Sequence, residues 1–487
     1  MLFNSYIFIL LFLPVCIVGY FVLNHFGKYT LSQAFLLGMS LWFYGYFNLS
    51  YLAIILVSIT VNYLAGMLIG KSASMPARKM ELITALVFNL GILAYYKYFD
   101  FFIENINLMF STNFSLLRLM LPLGISFFTF QQISYIIDTY RGETVPCSFL
   151  QYASFVSFFP QLVAGPIVSH DELIPQFQDE SRKHISWENL AKGIYIFVLG
   201  LSKKVLIADT FGKVADYGFG NIPNLSAVSA ALVILAYTIQ IYFDFSGYSD
   251  MAIGLGKMLN IDLPINFDSP YKSLTITEFW SKWHRTLTRF LTKYVYIPLG
   301  GNRRGTMRTY INVMLVYLLS GLWHGAGWTF VMWGILHGAF AVITRHYKNF
   351  FNKLNPVCSW IILFLFLNIT WTFFRADGIH DAISILAQAA KFTGGEIAPE
   401  ILNAFALPEV EYILNLIPGR SITQIFPGML TAAWYLFVLL AVLGSRNAFE
   451  RMQTFRCSVG SMMTTAVLLI WCIFSFSGVS TFLYFNF

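Results

Sequence analysis

The chain has 487 residues, of which 57% are hydrophobic and only 11% charged, and its mean hydropathy is +0.65. A soluble globular chain carries about 25% charged residues, so this composition excludes a protein that folds in water alone. The 49 Phe residues and the 18% aromatic content suit lipid-facing helices and interfacial belts. The net charge of +7 is carried by short basic clusters between apolar stretches. That is the pattern of cytoplasmic loops, not of a nucleic-acid surface.

Length alone would allow three soluble domains. The apolar stretches instead recur from end to end, with no polar block long enough for a separate soluble domain. The expectation is an all-α, polytopic protein made of one integral membrane domain, 1–487, whose segment 462–487 is a last span with an aromatic tail. Cys16, Cys147, Cys358, Cys457 and Cys472 are scattered, form no C-x-x-C pair and suit packing better than a disulfide framework or metal site.

A helical span needs about 20 mostly apolar residues. In chain order, 5–23 opens the series with no Lys or Arg before it and no small-residue cleavage site after it, so a removable leader is not expected. Lys28 follows this run, which predicts an N-terminus outside and a first span running inwards. Further spans are expected at 31–47, 50–70, 82–99, 228–243, 309–323, 328–343, 358–374, 429–445 and 462–480. Pro, Gly or polar residues break three others, at 118–139, 149–168 and 190–206, giving eleven or twelve crossings plus re-entrant and interfacial helices. Segment 169–192 is mixed in charge and reads as an amphipathic helix with loops, and 379–392 as a surface helix. No internal repeat is evident.

Charge orients the second half. Arg303, Arg304 and Arg308 precede span 309–323, and Arg345, Lys348 and Lys353 follow the next one. Loop 392–428 carries Glu396, Glu400, Glu409 and Glu411, and span 429–445 returns to Arg446, Arg451 and Arg456. All three basic clusters fall on one side, which leaves the tail Phe482-Leu483-Tyr484-Phe485-Asn486-Phe487 outside.

Two stretches are too polar for lipid-facing helix. They are Thr277-Glu278-Phe279-Trp280-Ser281-Lys282-Trp283-His284-Arg285 and Ser320-Gly321-Leu322-Trp323-His324-Gly325-Ala326-Gly327-Trp328. Ionisable residues at membrane depth are costly and face a cavity or a partner, which makes both histidines functional candidates. A lone intramembrane histidine is as readily a hydrogen-bonded structural residue. Small residues around His324 let a backbone or a substrate approach closely.

Leu322-Trp323-His324-Gly325 resembles the signature of the membrane-bound O-acyltransferase family. The resemblance runs through Pro122-Leu123-Gly124-Ile125-Ser126-Phe127, Gln132-Ile133-Ser134-Tyr135 and Phe159-Pro160-Gln161-Leu162-Val163-Ala164-Gly165-Pro166. It continues in Phe243-Asp244-Phe245-Ser246-Gly247-Tyr248-Ser249-Asp250 and Pro298-Leu299-Gly300-Gly301-Asn302-Arg303. The branch it resembles contains the membrane subunit of alginate O-acetyltransferase, and the D-alanyl transferase of teichoic-acid modification looks more distant. The resemblance implies transfer of an acyl group, usually acetyl, from a cytosolic thioester to a hydroxyl of a cell-envelope polysaccharide. It implies His324 as main catalytic residue and His284 as the second histidine.

The chemistry is consistent with that. An imidazole with a pKa near 6.5 can take the proton of a hydroxyl as it attacks, and the oxyanion needs donors such as His284, Trp280, Trp283 or Asn302. His337 reads as structural. The loop Gly300-Gly301-Asn302-Arg303-Arg304-Gly305 would suit the phosphates of a CoA donor, or is an ordinary positive-inside loop. Asp244, Ser246 and Asp250, with Trp323, would line a tunnel, or the polar trio would orient a histidine or form a structural hydrogen-bond network. By resemblance to the family's Phe-aliphatic-Tyr-Phe-x-Phe ending, Tyr484 would be an acyl relay; otherwise it anchors the helix end as a belt tyrosine.

No bound cofactor or metal is expected, two histidines being too few for a metal site; the donor is acetyl-CoA or an acyl-carrier protein. The expected setting is the lipid of an inner or plasma membrane, with a polysaccharide acceptor and an extracellular or periplasmic acetyltransferase partner. The reading from another class is a transporter or polysaccharide-export component whose histidines relay protons; inverted repeats would support it. A membrane-impermeant thiol reagent added outside is expected to label a cysteine placed in the tail, and labelling only from the cytoplasmic side would invert the topology.

Overall fold

The computed structural model describes residues 1–144, 147–406, 427–478 and 482–483. Glu409, Glu411, Tyr484 and the rest of the tail after Leu483 lie outside the described residues. Those described are helical, without strands. The first helices are α1 (Leu13–His25, preceded by a π turn, Phe8–Phe12), α2 (Tyr29–Gly45), α3 (Leu49–Lys71), α4 (Met75–Leu93) and α5 (Phe99–Phe110). They are followed by α6 (Ile125–Arg141), α7 (Phe149–Ser157), α8 (His170–Gln178), α9 (Trp187–Ser202) and α10 (Asp209–Gly220). The centre comprises α11 (Ala227–Met258), α12 (Ile276–Lys282), α13 (Arg285–Leu291), α14 (Thr306–His324) and α15 (Trp328–His346). The last are α16 (Pro356–Arg375), α17 (Ile379–Ala389), α18 (Pro427–Gly444), α19 (Ala448–Gln453) and α20 (Val459–Phe474).

Five helical stretches are long and apolar enough to cross a bilayer: Phe8–His25, Leu49–Lys71, Met75–Phe110, Ala227–Met258 and Pro356–Arg375. The other expected spans are present as helices that are shorter or more polar. Exposed apolar side chains cover their outer faces; on α20, Val459, Met462, Met463, Val467, Ile470 and Phe474 repeat at helical spacing along one lipid-facing stripe.

Three expectations shift for physical reasons. Residues 118–124 are not helical. Arg118 and Gly124 have left-handed backbone (φ 49° and 69°), and a Cβ on Gly124 would sit 2.5 Å from Leu162 O. The stretch 149–168 breaks at Phe158, ahead of Pro160, so α7 ends at Ser157. The span expected at 228–243 continues to Met258, because lysines on a neighbouring helix neutralise the two carboxylates that looked like its end. Lys204 Nζ lies 2.6 Å from Asp244 and 2.8 Å from Asp209, and Lys203 Nζ lies 2.6 Å from Asp250.

That helix, α11, is the axis of the fold: 78% of its most apolar window lies inside the protein. It meets α9 backbone to backbone through two glycine pairs. A Cβ on Gly193 would lie 2.6 Å from Gly254 O, and one on Gly200 would lie 2.5 Å from Gly247 O. Each pair repeats seven residues along its helix, which keeps one seam in contact. The chain ends meet on α11 as well, where Tyr248 packs between Phe3 (4.8 Å) and Phe482 (4.7 Å).

Replacing Gly247 with Leu is expected to cost more than about 2 kcal/mol through overpacking. Gly220→Ala, where nothing lies within 4 Å of the added carbon, is expected to cost almost nothing. Thermal unfolding of the detergent-solubilised proteins compares the two.

Candidate functional site

His324 is the last residue of α14, and Gly325-Ala326-Gly327 turns the chain straight into α15. Glycines within the two helices let the arms of this hairpin close: a Cβ on Gly321 would lie 2.3 Å from Phe330 O, and one on Gly334 would lie 2.6 Å from Tyr317 O. The hairpin tip is thus pressed tight, and His324 is 3% exposed. Its ring sits among Trp323, Trp333 and Phe374 at 4.9–5.3 Å between centroids.

His284 arrives from a different direction. It links α12 to α13 in a left-handed conformation (φ 44°) that a branched or bulky residue adopts at a cost. The surrounding chain holds it there. Asn266 O accepts from the Arg285 amide (3.1 Å), and Asn266 Oδ1 accepts from the Thr286 hydroxyl (2.7 Å). The same hydroxyl oxygen accepts from the Ile167 amide (2.9 Å), tying this corner to the segment after α7. The His284 ring is fully buried against Phe245 (4.7 Å), Trp323 (5.7 Å) and Phe127 (6.2 Å). The two imidazoles are 6.5 Å apart between centroids, near enough for one reacting group to be reached by both.

Two openings lie near His324, and the smaller is lined by it. A chamber of about 680 Å³ is bounded by α12 to α16, with Trp280, Tyr317 and Ser320 at its inner wall and Arg345 and Lys348 at its rim. Ser320 is one helical turn before His324. On the other side a narrow cleft of about 20 Å³ is lined by Pro122, Gly124, Ser126, Lys97, Trp323 and His324. A second cavity, about 460 Å³, shares Trp280, Ser281, Thr288 and Thr292 with the chamber and carries Arg285, Arg289 and Lys293.

The sequence-predicted residues separate into groups. His324, His284 and Trp323 come together, and Trp280 meets His324 through Trp333, which packs against both. Trp283 belongs to the packed wall behind it, stacked with Phe279 (5.5 Å) and against Trp371 (4.9 Å). Asp244 is an ion-pair partner of Lys204, and its other carboxylate oxygen accepts from the Leu483 amide (3.0 Å). It thereby anchors the start of the tail and lines none of these openings. Asn302, Arg303 and Arg304 are exposed and border none of them either. Their loop is braced from below, where Asn312 Nδ2 donates to Gly301 O (2.9 Å) and Leu299 O (3.3 Å). Tyr484 lies outside the described residues. His337 takes a wall position, its Nδ1 accepting from Trp280 Nε1 (3.3 Å). Among the described residues no three His, Cys, Asp or Glu side chains gather where they could share a metal ion.

Sequence reasoning missed Lys97 and Tyr98. Lys97 Nζ donates to the carbonyls of Trp323 (2.6 Å) and His324 (3.1 Å), and Tyr98 OH donates to Leu322 O (2.7 Å). A lysine inside the apolar run 82–99 was the available signal.

Residues 142–376 match the membrane-bound O-acyltransferase family. The peptidoglycan O-acetyltransferase of Helicobacter pylori is 40% identical over an alignment that covers 100% of this chain and 98% of that protein. The chain belongs to the membrane-bound O-acyltransferase family. A probable alginate O-acetylase of Pseudomonas putida is 41% identical, covering 83% of this chain and 82% of its own. The teichoic acid D-alanyltransferase of Bacillus subtilis is 29% identical over 49% of this chain and 62% of its own. This multi-pass membrane protein is therefore an O-acyltransferase, and its histidine pair stands within the matched segment.

Proposed function

We propose that this enzyme moves an acetyl group from a cytosolic thioester to the outer face of the membrane, for O-acetylation of a cell-envelope glycan. The observation that carries this reading is the position of His324, which borders the cleft on one side and stands one turn from the large chamber on the other. The chamber is far larger than an acetyl group needs and suits the pantetheine arm of a donor such as acetyl-CoA or an acyl-carrier protein. Arg345 and Lys348 at its rim are basic residues of the kind that mark the cytoplasmic side.

In the transfer step, the acceptor oxygen attacks the thioester carbonyl while His324 takes its proton. The carbonyl oxygen becomes an oxyanion. Collapse reforms the carbonyl, breaks the C–S bond, and the imidazolium returns the proton to the departing thiol. Trp280, donating its indole N–H to His337, is a fixed wall against which the donor is positioned.

The first acceptor in this reading is Tyr484. Its support is the anchoring of Phe482 and Leu483 inside the fold, with Phe482 over the Lys204 ammonium (4.7 Å) and Leu483 bonded to Asp244. A phenyl ester is more activated than an alkyl ester, which suits onward transfer to an extracellular partner acetyltransferase. The end-to-end alignment with a peptidoglycan O-acetyltransferase, against partial ones with alginate O-acetylases, supports peptidoglycan as the acceptor to test first.

Purified protein incubated with acetyl-CoA is expected to carry acetyl on the C-terminal peptide at Tyr484, and His324→Ala is expected to carry none. Undiminished glycan acetylation in cells expressing only the folded His324→Ala protein would overturn the catalytic assignment.

A further inference from the structure

A charged group borders the cleft beside His324. Lys97 sits in a π turn, Ala94–Tyr98, between α4 and α5. Such a turn adds one residue to a helix and is frequent at functional sites. Here it carries the lysine side chain across to the end of α14. Lys97 is half-buried and lines the cleft together with His324, Gly124 and Ser126.

No carboxylate lies within ion-pair distance of this ammonium among the described residues. Asp100, the acid nearest in sequence, is engaged elsewhere and accepts from the amides of Leu117 and Arg118 (both 2.8 Å). What holds the cation is the carboxyl end of α14: the carbonyls of Trp323 and His324 take two N–H donors, where the helix dipole favours positive charge. The third contact, Ser126 Oγ, is the longest at 3.5 Å, so the third donor is the least committed. Ser126 is itself a cleft residue.

We propose that Lys97 is a catalytic residue of the transfer, its ammonium stabilising the oxyanion formed beside His324. This rests on the acyl-transfer reading of His324. Two carbonyls fix the position of the charge before any substrate arrives, so no reorganisation is needed when the carbonyl oxygen becomes negative. A preorganised donor of this kind is worth most in a site shielded from water. The neighbouring Tyr98 supplies the contrast. It ties the same helix end through Leu322 O (2.7 Å) but carries no charge and does not line the cleft. A lysine that merely fastened α14 would be matched in effect by Tyr98.

The test compares full-length variants, each as the sole copy in cells lacking their own gene, by the initial rate at which base-releasable acetate appears on the envelope glycan. Membrane protein amount and thermal unfolding are matched first. Lys97→Met is expected to lower the rate about 100-fold, the order of effect of removing one oxyanion donor. Lys97→Arg keeps a cation and is expected to recover the rate to within about tenfold of the native one. Tyr98→Phe is expected to stay within about fivefold, the worth of one neutral hydrogen bond. Lys97→Met no slower than Tyr98→Phe, or Lys97→Arg as inactive as Lys97→Met with both folded, would overturn the proposal. His324→Ala run alongside separates the two ideas. If it too remains active, the acyl-transfer reading fails; if it is inactive while Lys97→Met is not, only the role of Lys97 fails.

Discussion

The contact of α9 with α11, glycine against glycine, is the constraint on which the rest of the molecule depends. Water drives apolar faces together in a soluble protein, but lipid gives helices no such push, so close backbone packing and polar links must hold them. Here both occur along one seam. Gly193 and Gly200 meet Gly254 and Gly247, and just beyond them Lys203 and Lys204 reach Asp250 and Asp244. The ion pairs lie where the glycines have already brought the backbones together, so the carboxylates are neutralised without long side chains having to search for partners. With α11 fixed, Phe245 can serve as the floor under His284, and Tyr248 can join the two ends of the chain.

The same device recurs at the α14–α15 hairpin. Gly321 and Gly334 remove the side chains that would keep the two helices apart, and His324 is left at the tip. His284 reaches the same point from a strained corner of a separate segment. Neither histidine is placed by its own helix alone, since each depends on neighbours distant in sequence: Asn266 and Ile167 for one, Lys97 for the other. A rigid aromatic wall completes the site, and it keeps the two rings at a set separation.

Much of this was legible in the sequence. Ten apolar runs correspond to helices, and the two Trp-His pairs mark polar residues where lipid would not tolerate them. What misled was local pattern. Asp244 and Asp250 read as the end of a span, because the lysines that neutralise them are some forty residues away in sequence and their pairing has no local signature. The loop around Asn302 and Arg303, whose glycines and arginines suit phosphate or an ordinary cytoplasmic loop alike, is braced by Asn312 and borders none of the three cavities described above. Lys97 was overlooked because a single lysine in an aromatic run looks like a snorkelling residue. Only the folded chain brings it to the carbonyls of α14.

The π turns have a consequence for descent. Besides Phe8–Phe12, which has no lysine, they occur among the described residues at Ala94–Tyr98, Lys203–Ala208 and Thr292–Tyr296, and each of these three carries at least one lysine that reaches another segment. A π turn is one residue more than an α-helix needs. Deleting that residue would restore regular winding and rotate the remainder of the helix by about 100°, carrying each lysine away from its partner. Insertion and lysine are therefore expected to be kept or lost together at these three turns. Distant relatives that lack the lysine should show a one-residue gap at the same point, and an aligner that smooths such gaps away would hide the feature that separates one branch from another.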